Sequence, residues 1–409
     1  MVPFRVDRWL LQEANKIVEP VGVHIELRSN ALTTGTSGRP TIRVVNGQTL
    51  AHLLFNPDLS FGDAYTRGSL EIDGDLVSVL ERLFECTSRV PKWISRLKTV
   101  WLRHVQANSL RGSRRNIRHH YDLPTDFYQL WLDRELIYTC AYFPERQATL
   151  EEAQQAKLKL ICKKLWLKAG ETVVEAGCGW GALSLYMARE YGVRVKAYNI
   201  SHEQIVFARN RAREQGLSGE VEFIEDDYRN IHGHFDAFVS VGMLEHVGVE
   251  HYRDLGRIIH KVIGDSGRGL LHFIGRNFPK PINLWIQKRI FPGAYPPSLR
   301  EALEVFEAQD FSVLDIENLR PHYALTLRHW LDRFEYSYDL VAGRRGEEFA
   351  RMWRLYLAGS MVAFNLGTLQ LFQVVFAGHR CSTVPWTRND GNRAIERKPM
   401  DDVWIPAMC

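Results

Sequence analysis

The segment from Thr172 to Gly192 constrains the fold of this chain more than any other. An apolar run, Thr172-Val173-Val174, leads into Glu175-Ala176-Gly177-Cys178-Gly179-Trp180-Gly181 and then into ALSLYMAREYG. That is a strand, a glycine-rich turn and a helix in immediate succession. Glycines there let the backbone adopt positive φ and let a ligand approach closely, at the edge where open α/β sheets bind nucleotides. The spacing is not the dinucleotide pattern G-x-G-x-x-G, and no Walker lysine follows, so phosphate cradling is disfavoured. It suits a nucleoside that carries no phosphate.

The pattern around this turn is periodic. EEAQQAKLKLICKKL reads as a helix before it. VRVKAYNIS, EVEFIEDD, FDAFVSVG and GLLHFIGR read as strands after it, with helical stretches over 202–215 and 250–263. Apolar strands alternating with helices predict a doubly wound α/β fold, its parallel sheet covered on both faces. From Leu355 to Gly378 no charged residue occurs, long enough to span a bilayer. Ser360, Asn365, Thr368, Gln370 and Gln373 interrupt it, so QLFQVVFAG is expected to be a buried strand after a short core helix.

A chain of 409 residues with 24% charged and 45% hydrophobic content is comfortable as two domains. The expected boundaries are 1–115 for a small N-terminal domain with a basic linker, 116–390 for the catalytic domain and 391–409 for a polar tail. In the first of these, TIRVV at 41–45 runs into Asn46-Gly47, a strong turn signal. The six cysteines form no C-x-x-C pair, which argues against a disulfide framework and a zinc site. The N-terminus reads as no signal peptide, and the expected location is the cytoplasm.

The formal net charge of +4 says little, but its distribution says more. No Asp or Glu lies between Cys86 and Tyr121, whereas Arg89, Lys92, Arg96, Lys98, Arg103, Arg111, Arg114, Arg115 and Arg118 do. Trp93, Leu97, Val100, Trp101 and Val105 recur beside them at helical spacing. A basic amphipathic helix with Trp suits an anionic membrane surface; a solvated linker packing its tryptophans on a neighbour is the equal alternative. No recognition module accompanies the charge, so nucleic acid is not an expected partner.

Four further segments carry chemistry. Tyr138 and Cys140 lie in IYTCAYFPE; Cys140 lacks an adjacent activating base, so core packing competes with a nucleophilic role. Glu245 and His246 follow a strand end in VSVGMLEHVG, without the H-E-x-x-H spacing of a metal site. His272 sits inside the apolar strand LLHFIG, where a lone His is ordinarily a satisfied core residue, and LRPHYALTLRHW contains Tyr323.

YTCAYF, EAQQAKL, EAGCGWG, ISHEQ, DDYRN, VGMLEHVG, LLHFIG, IFPGAYPPS, HYALTL and QLFQVVF, in this order, resemble the cyclopropane-fatty-acyl-phospholipid synthases. They are also similar to the mycolic acid cyclopropane synthases. The resemblance spans about 116–380, and GDAYTRGSLEIDGDL is similar to part of the extra N-terminal domain of the phospholipid enzymes. It implies a Rossmann-like class I fold dependent on S-adenosylmethionine, preceded by a small α/β domain, and leaves a homodimer open.

The resemblance implies the chemistry as well. An acyl-chain alkene attacks the methyl of S-adenosylmethionine, a carbocation forms, and bound bicarbonate takes a proton from the transferred methyl as the ring closes. The matching catalytic positions are Cys140, Glu245, His272, Ile274 and Tyr323, with Cys140 now a wall of the site. Those for S-adenosylmethionine are Tyr138, Gly177, Gly179, Asn199, Ile200, Gln204 and Asp227; no metal is implied. Asn199-Ile200 stands where many methyltransferases place an acidic residue for the ribose, a mild departure. The implied partner is a membrane phospholipid with an unsaturated acyl chain, reached by reversible docking of the basic stretch 89–118 on the inner membrane surface. The alternative is methylation without ring closure, giving methylene- or methyl-branched chains.

Overall fold

A computed structural model describes residues 2–28, 39–87, 123–385 and 387. The basic stretch 89–118 and the expected boundaries at 115 and 390 lie outside these residues.

The N-terminal unit is built on a three-stranded sheet of β1 (His24–Leu27), β2 (Thr41–Val44) and β3 (Leu70–Asp73). β1 and β2 are parallel, pairing Ile25 with Ile42, and β2 and β3 are antiparallel, pairing Ile42 with Ile72 and Val44 with Leu70. Side chains two apart share a sheet face, so these apolar residues form one surface. Against the sheet pack α1 (Val2–Val18), α2 (Gly47–Phe55), α3 (Pro57–Thr66) and α4 (Leu76–Thr87). The Asn46-Gly47 turn does not close a hairpin. The Asn46 side chain accepts a hydrogen bond from the Thr49 amide at 2.9 Å, so the same residue types cap the start of α2.

The larger sheet has seven strands among the described residues, in the order β6-β5-β4-β7-β8-β10-β9. β4 (Thr172–Ala176), β5 (Arg194–Asn199), β6 (Val221–Glu225), β7 (Ala237–Val241) and β8 (Arg268–Gly275) are parallel, as the alternating pattern predicts. The remaining pair departs from a purely parallel sheet. β10 (Gln370–Ala377) runs antiparallel between β8 and β9 (Ser312–Asn318). Periodicity signals a buried strand but carries no direction, and all eight residues of β10 are buried. The preceding helix, Glu347–Asn365, is 19 residues long, not the short element expected. No described helix is long and apolar enough to cross a membrane.

Helices on the two faces complete the layers: α5 (Leu150–Lys164), α6 (Ala182–Tyr191), α7 (His202–Glu214) and α8 (Tyr252–Ile263), among others. α5 opens on a capping box, the Thr149 hydroxyl accepting from the Glu152 amide and the Glu152 carboxylate from the Thr149 amide. The sheet's C-terminal edge is covered by α10 (Arg320–Tyr336) and α11 (Glu347–Asn365), with the short α9 (Leu284–Arg289) beside them.

The N-terminal unit docks on this cover. Arg351 of α11 donates to the carbonyls of Tyr65 (2.6 Å) and Leu70 (3.0 Å), and Arg289 of α9 binds the Asp63 carboxylate in bidentate fashion at 3.0 and 2.9 Å. Gly62 lies flat on the Trp285 indole: a Cβ added there would stand 2.4 Å from the ring. A single apolar core runs from Leu10, Val44 and Leu70 to Trp131, Trp330 and Trp353. Truncating any of the three tryptophans costs about 3–5 kcal/mol.

Candidate active site

The glycine turn leaves β4 with Gly177 at φ 83°, Gly179 at φ 53° and Gly181 at φ 85°. A Cβ on Gly181 would stand 2.6 Å from the Phe223 ring, so that glycine serves packing. Gly179 differs, because nothing lies within 4 Å of its missing Cβ. Its open face looks into a cavity of about 1910 Å3. The Gly177 amide donates to Tyr198 O at 2.8 Å, tying the turn to the neighbouring strand.

All seven expected cofactor positions line this cavity: Tyr138, Gly177, Gly179, Asn199, Ile200, Gln204 and Asp227. Asn199, ending β5, is committed to bracing the turn. Its amide donates to Gly179 O at 3.3 Å and to Gln204 Oε1 at 2.7 Å. Asp227 is buried after β6, where its Oδ1 accepts from the Arg229 amide at 3.0 Å. Tyr138 shares a 2.7 Å hydroxyl–hydroxyl bond with Tyr356.

The five expected catalytic positions, Cys140, Glu245, His272, Ile274 and Tyr323, line the same cavity. Burial pushes the Cys140 thiol up, and its Sγ donates to Ala141 O, so a thiolate nucleophile is disfavoured. Glu245 is buried, and its Oε1 accepts from the Ile274 amide at 2.6 Å. That amide is therefore spent on fixing the carboxylate, and Ile274 positions Glu245. Glu245 Oε2 is buried with no hydrogen-bond partner, and burial raises the carboxyl to about 7. His272 is buried too, and desolvation holds its imidazole well below its usual range, so it is neutral.

The tautomer of His272 follows from its neighbours. Lys164 Nζ, a donor only, lies 2.7 Å from Gln373 Oε1, which turns the Gln373 Nε2 group toward His272 Nδ1 at 3.0 Å. Nδ1 accepts, so the proton resides on Nε2. That Nε2–H is buried and unpartnered. The cavity thus holds a stranded donor on His272 and a stranded acceptor on Glu245.

Three polar residues that the sequence did not single out act here. Gln154 of α5 donates to the carbonyls of Ile137 (3.2 Å) and Thr139 (3.0 Å), and Lys157 one turn on donates to Thr139 Oγ1 at 2.9 Å. They hold the segment carrying Tyr138 and Cys140. Burial lowers the Lys157 ammonium to about 8, against the opposing Asp133 carboxylate, itself raised by burial to about 6. Gln373 is the third. The signal was present in each case, since a polar side chain amid buried neighbours needs a partner. Which partner is a matter of tertiary structure. Among the described residues no His, Cys, Asp and Glu cluster could hold a metal; His246, lowered to about 4 by burial, packs its ring edge-on to Phe291.

A family model described as mycolic acid cyclopropane synthetase matches residues 108–374. The chain belongs to that family. It is 34% identical to a probable fatty acid methyltransferase of Pseudomonas putida, over 90% of this chain and 96% of that one. It is also 34% identical to the cyclopropane-fatty-acyl-phospholipid synthase of Escherichia coli (strain K12), over 91% and 94% respectively. Among solved structures, the mycolic acid cyclopropane synthase CmaA1 complexed with SAH and CTAB is 30% identical, with a TM-score of 0.62, covering 64% of this chain and 97% of that one. As a member of the cyclopropane synthase family, the protein is an S-adenosylmethionine-dependent one-carbon transferase with a class I methyltransferase fold.

Proposed function

We propose that the protein adds a methylene unit from S-adenosylmethionine to the cis double bond of an unsaturated acyl chain in a membrane phospholipid, forming a cyclopropane ring. One observation carries this reading: the unpaired His272 Nε2–H and the unpaired Glu245 Oε2 line the same apolar cavity as the open face of Gly179.

The side chains divide the work. The glycine turn, with Asn199, Gln204 and Asp227 around it, binds the nucleoside and amino-acid ends of S-adenosylmethionine, which supplies an electrophilic methyl when bound. The apolar walls exclude water, which strengthens every charge interaction inside. Tyr138 and Tyr323 line the cavity walls, where aromatic rings favour positive charge on the acyl chain. A stranded donor and a stranded acceptor in one cavity fit an anion that both accepts and donates a hydrogen bond, and bicarbonate does both. Held there, bicarbonate would supply a base without an ionised side chain of high mobility. Glu245, fixed by the Ile274 amide, orients the ligand by accepting its hydrogen, and His272 donates to it.

A second reading, methylation without ring closure, is favoured by the name of the Pseudomonas putida relative. The two outcomes part after the carbocation forms. Ring closure takes a proton directly from the transferred methyl. A methylene branch needs a 1,2-hydride shift along the chain before that methyl loses its proton, and a saturated methyl branch needs a hydride donor besides. Bicarbonate depletion tests the anion site. Turnover in carbonate-free buffer should fall at least about tenfold and return on adding bicarbonate. Equal turnover in both buffers would remove the anion from the account.

The basic stretch 89–118 is the proposed membrane contact, bringing the enzyme reversibly to anionic lipid on the cytoplasmic face. Its nine cations without a carboxylate among them support that assignment.

A further inference from the structure

The cavity does not end at the catalytic residues. Ala14 of α1, Ile25 and Ile42 of the small sheet, Leu70 of β3, and Leu80 and Leu83 of α4 line the same continuous space. These are interior residues of the N-terminal unit, five of them buried and Leu83 packed against the same core. Protein interiors normally pack to crystal density. Here the unit's core residues face open volume, and the six named are all apolar. At about 1910 Å3 the whole cavity is roughly twice the upper end of the ordinary ligand-pocket range of about 300–1,000 Å3, more than one extended chain and a nucleoside require.

Between the two apolar regions runs a cationic segment. Arg276 directly follows β8, the strand that carries His272 and Ile274, and lines the cavity. Its Nε is buried without a hydrogen-bond partner. Lys280 also lines the cavity, its ammonium lowered first by burial and then by Arg276, with Asp58 of α3 opposing. Five residues further, Trp285 seats on Gly62 of the N-terminal unit. A buried guanidinium nitrogen without a partner is costly, and an acceptor that meets it offsets that cost. An Arg presents a fork suited to phosphate oxygens. Beside it, Phe278 lines the cavity while 63% exposed, an apolar rim at a charged mouth.

Two apolar arms and a cation between them match one lipid shape: two acyl chains on a glycerol whose third position carries a phosphate. We infer that the N-terminal unit is a binding pocket for the second acyl chain of a diacyl phospholipid, with the phosphate met by Arg276 and the unsaturated chain in the catalytic arm. This rests on the proposed phospholipid substrate. It gives the N-terminal unit a direct part in substrate selection. A single-chain lipid forgoes the second arm, so diacyl lipids gain binding that remote contacts can spend on the reacting centre.

The test uses the full-length protein and a phospholipid with a terminal diazirine on a saturated chain and a cis alkene on the other. Irradiation without S-adenosylmethionine, followed by peptide mass spectrometry, should place the label in residues 10–27 or 41–86. Label confined to residues of the catalytic arm, or no label in the N-terminal unit, overturns the inference. In parallel, Leu83→Trp should lower the ratio of diacyl to lysophospholipid turnover by at least about tenfold. An unchanged ratio contradicts it, whatever happens to the absolute rates. If neither lipid turns over in the unaltered protein, the functional proposal has failed, and the labelling pattern still decides the pocket.

Discussion

Gln373 donates from Nε2 to His272 Nδ1 at 3.0 Å while its Oε1 accepts from Lys164 at 2.7 Å. An amide held between a donor-only ammonium and an imidazole fixes the proton of that imidazole on the far nitrogen. Glu317 accepts a further bond from Lys164 at 2.5 Å, anchoring the chain at the sheet edge. Three residues from α5, β9 and β10 therefore set the hydrogen-bonding character of one nitrogen in the site.

Gln373→Leu removes one of the two acceptors of Lys164 and the donor for His272. Turnover should fall by about 10–100-fold, the usual effect of losing an orienting partner, with S-adenosylmethionine affinity retained. A merely structural role would not move the tautomer. The nitrogen NMR signals of His272, assigned by comparison with a His272→Ala sample, should show Nε2 protonation in the parent and a mixed population in the variant. An unchanged tautomer would break the link.

Much of this arrangement was legible in the residues and part of it was not. The Gly177–Gly181 turn announces itself because glycine suits three alternate positive-φ positions within five residues. That β4 to β8 run parallel follows from their alternation with helices. The direction of β10 does not, because a fully buried strand reads the same either way. Gln154, Lys157 and Gln373 are conspicuous as polar residues in buried company, but their partners Thr139 and His272 lie far along the chain. The space inside the N-terminal unit was invisible, since Leu80 lining a void and Leu80 filling a core have the same pattern. Asn46-Gly47 shows the reverse error, one turn signal serving two different local structures.

Burial raises Glu245 to about 7, so the carboxylate that orients the ligand is the form present above that pH. Activity should rise with pH through an apparent pKa near 7 and be lost below it. Stability runs the other way. Its folded pKa lies above the ordinary carboxyl value, so the native state binds more protons between the two, and stability falls as pH rises through that interval. Glu245→Gln should abolish the acid limb in kcat/KM, lower turnover at least about 100-fold, and leave cofactor binding intact. Full turnover in that variant would remove Glu245 from the mechanism. Its thermal midpoint should also lose part of the pH slope, since Glu175 and Asp133, which burial likewise raises to about 7 and about 6, keep their share.

Gly62→Val tests the docking of the N-terminal unit. The added side chain meets the Trp285 indole, and overpacking of this kind costs about 1–3 kcal/mol. The expected result is faster proteolysis within residues 41–87, a lower thermal midpoint and unimpaired binding of S-adenosylmethionine. Protease resistance equal to the parent would mean that the two surfaces adjust freely.

The basic stretch 89–118 should govern attachment to lipid. Each Lys or Arg near an anionic surface contributes about 1 kcal/mol, screened over a Debye length of about 8 Å at physiological salt. Vesicle co-sedimentation should weaken steeply with added salt and with neutral lipid. Binding that ignores both would assign attachment to other residues.

The central claim is tested by incubating the protein with S-adenosylmethionine and vesicles of a cis-monounsaturated diacyl phospholipid, then taking the mass and proton NMR spectrum of the recovered acyl chains. The account predicts a gain of one CH2 with upfield ring-proton signals and loss of the vinyl signals. The same mass with vinylidene signals, or no mass gain by a protein shown to bind its cofactor, would contradict it.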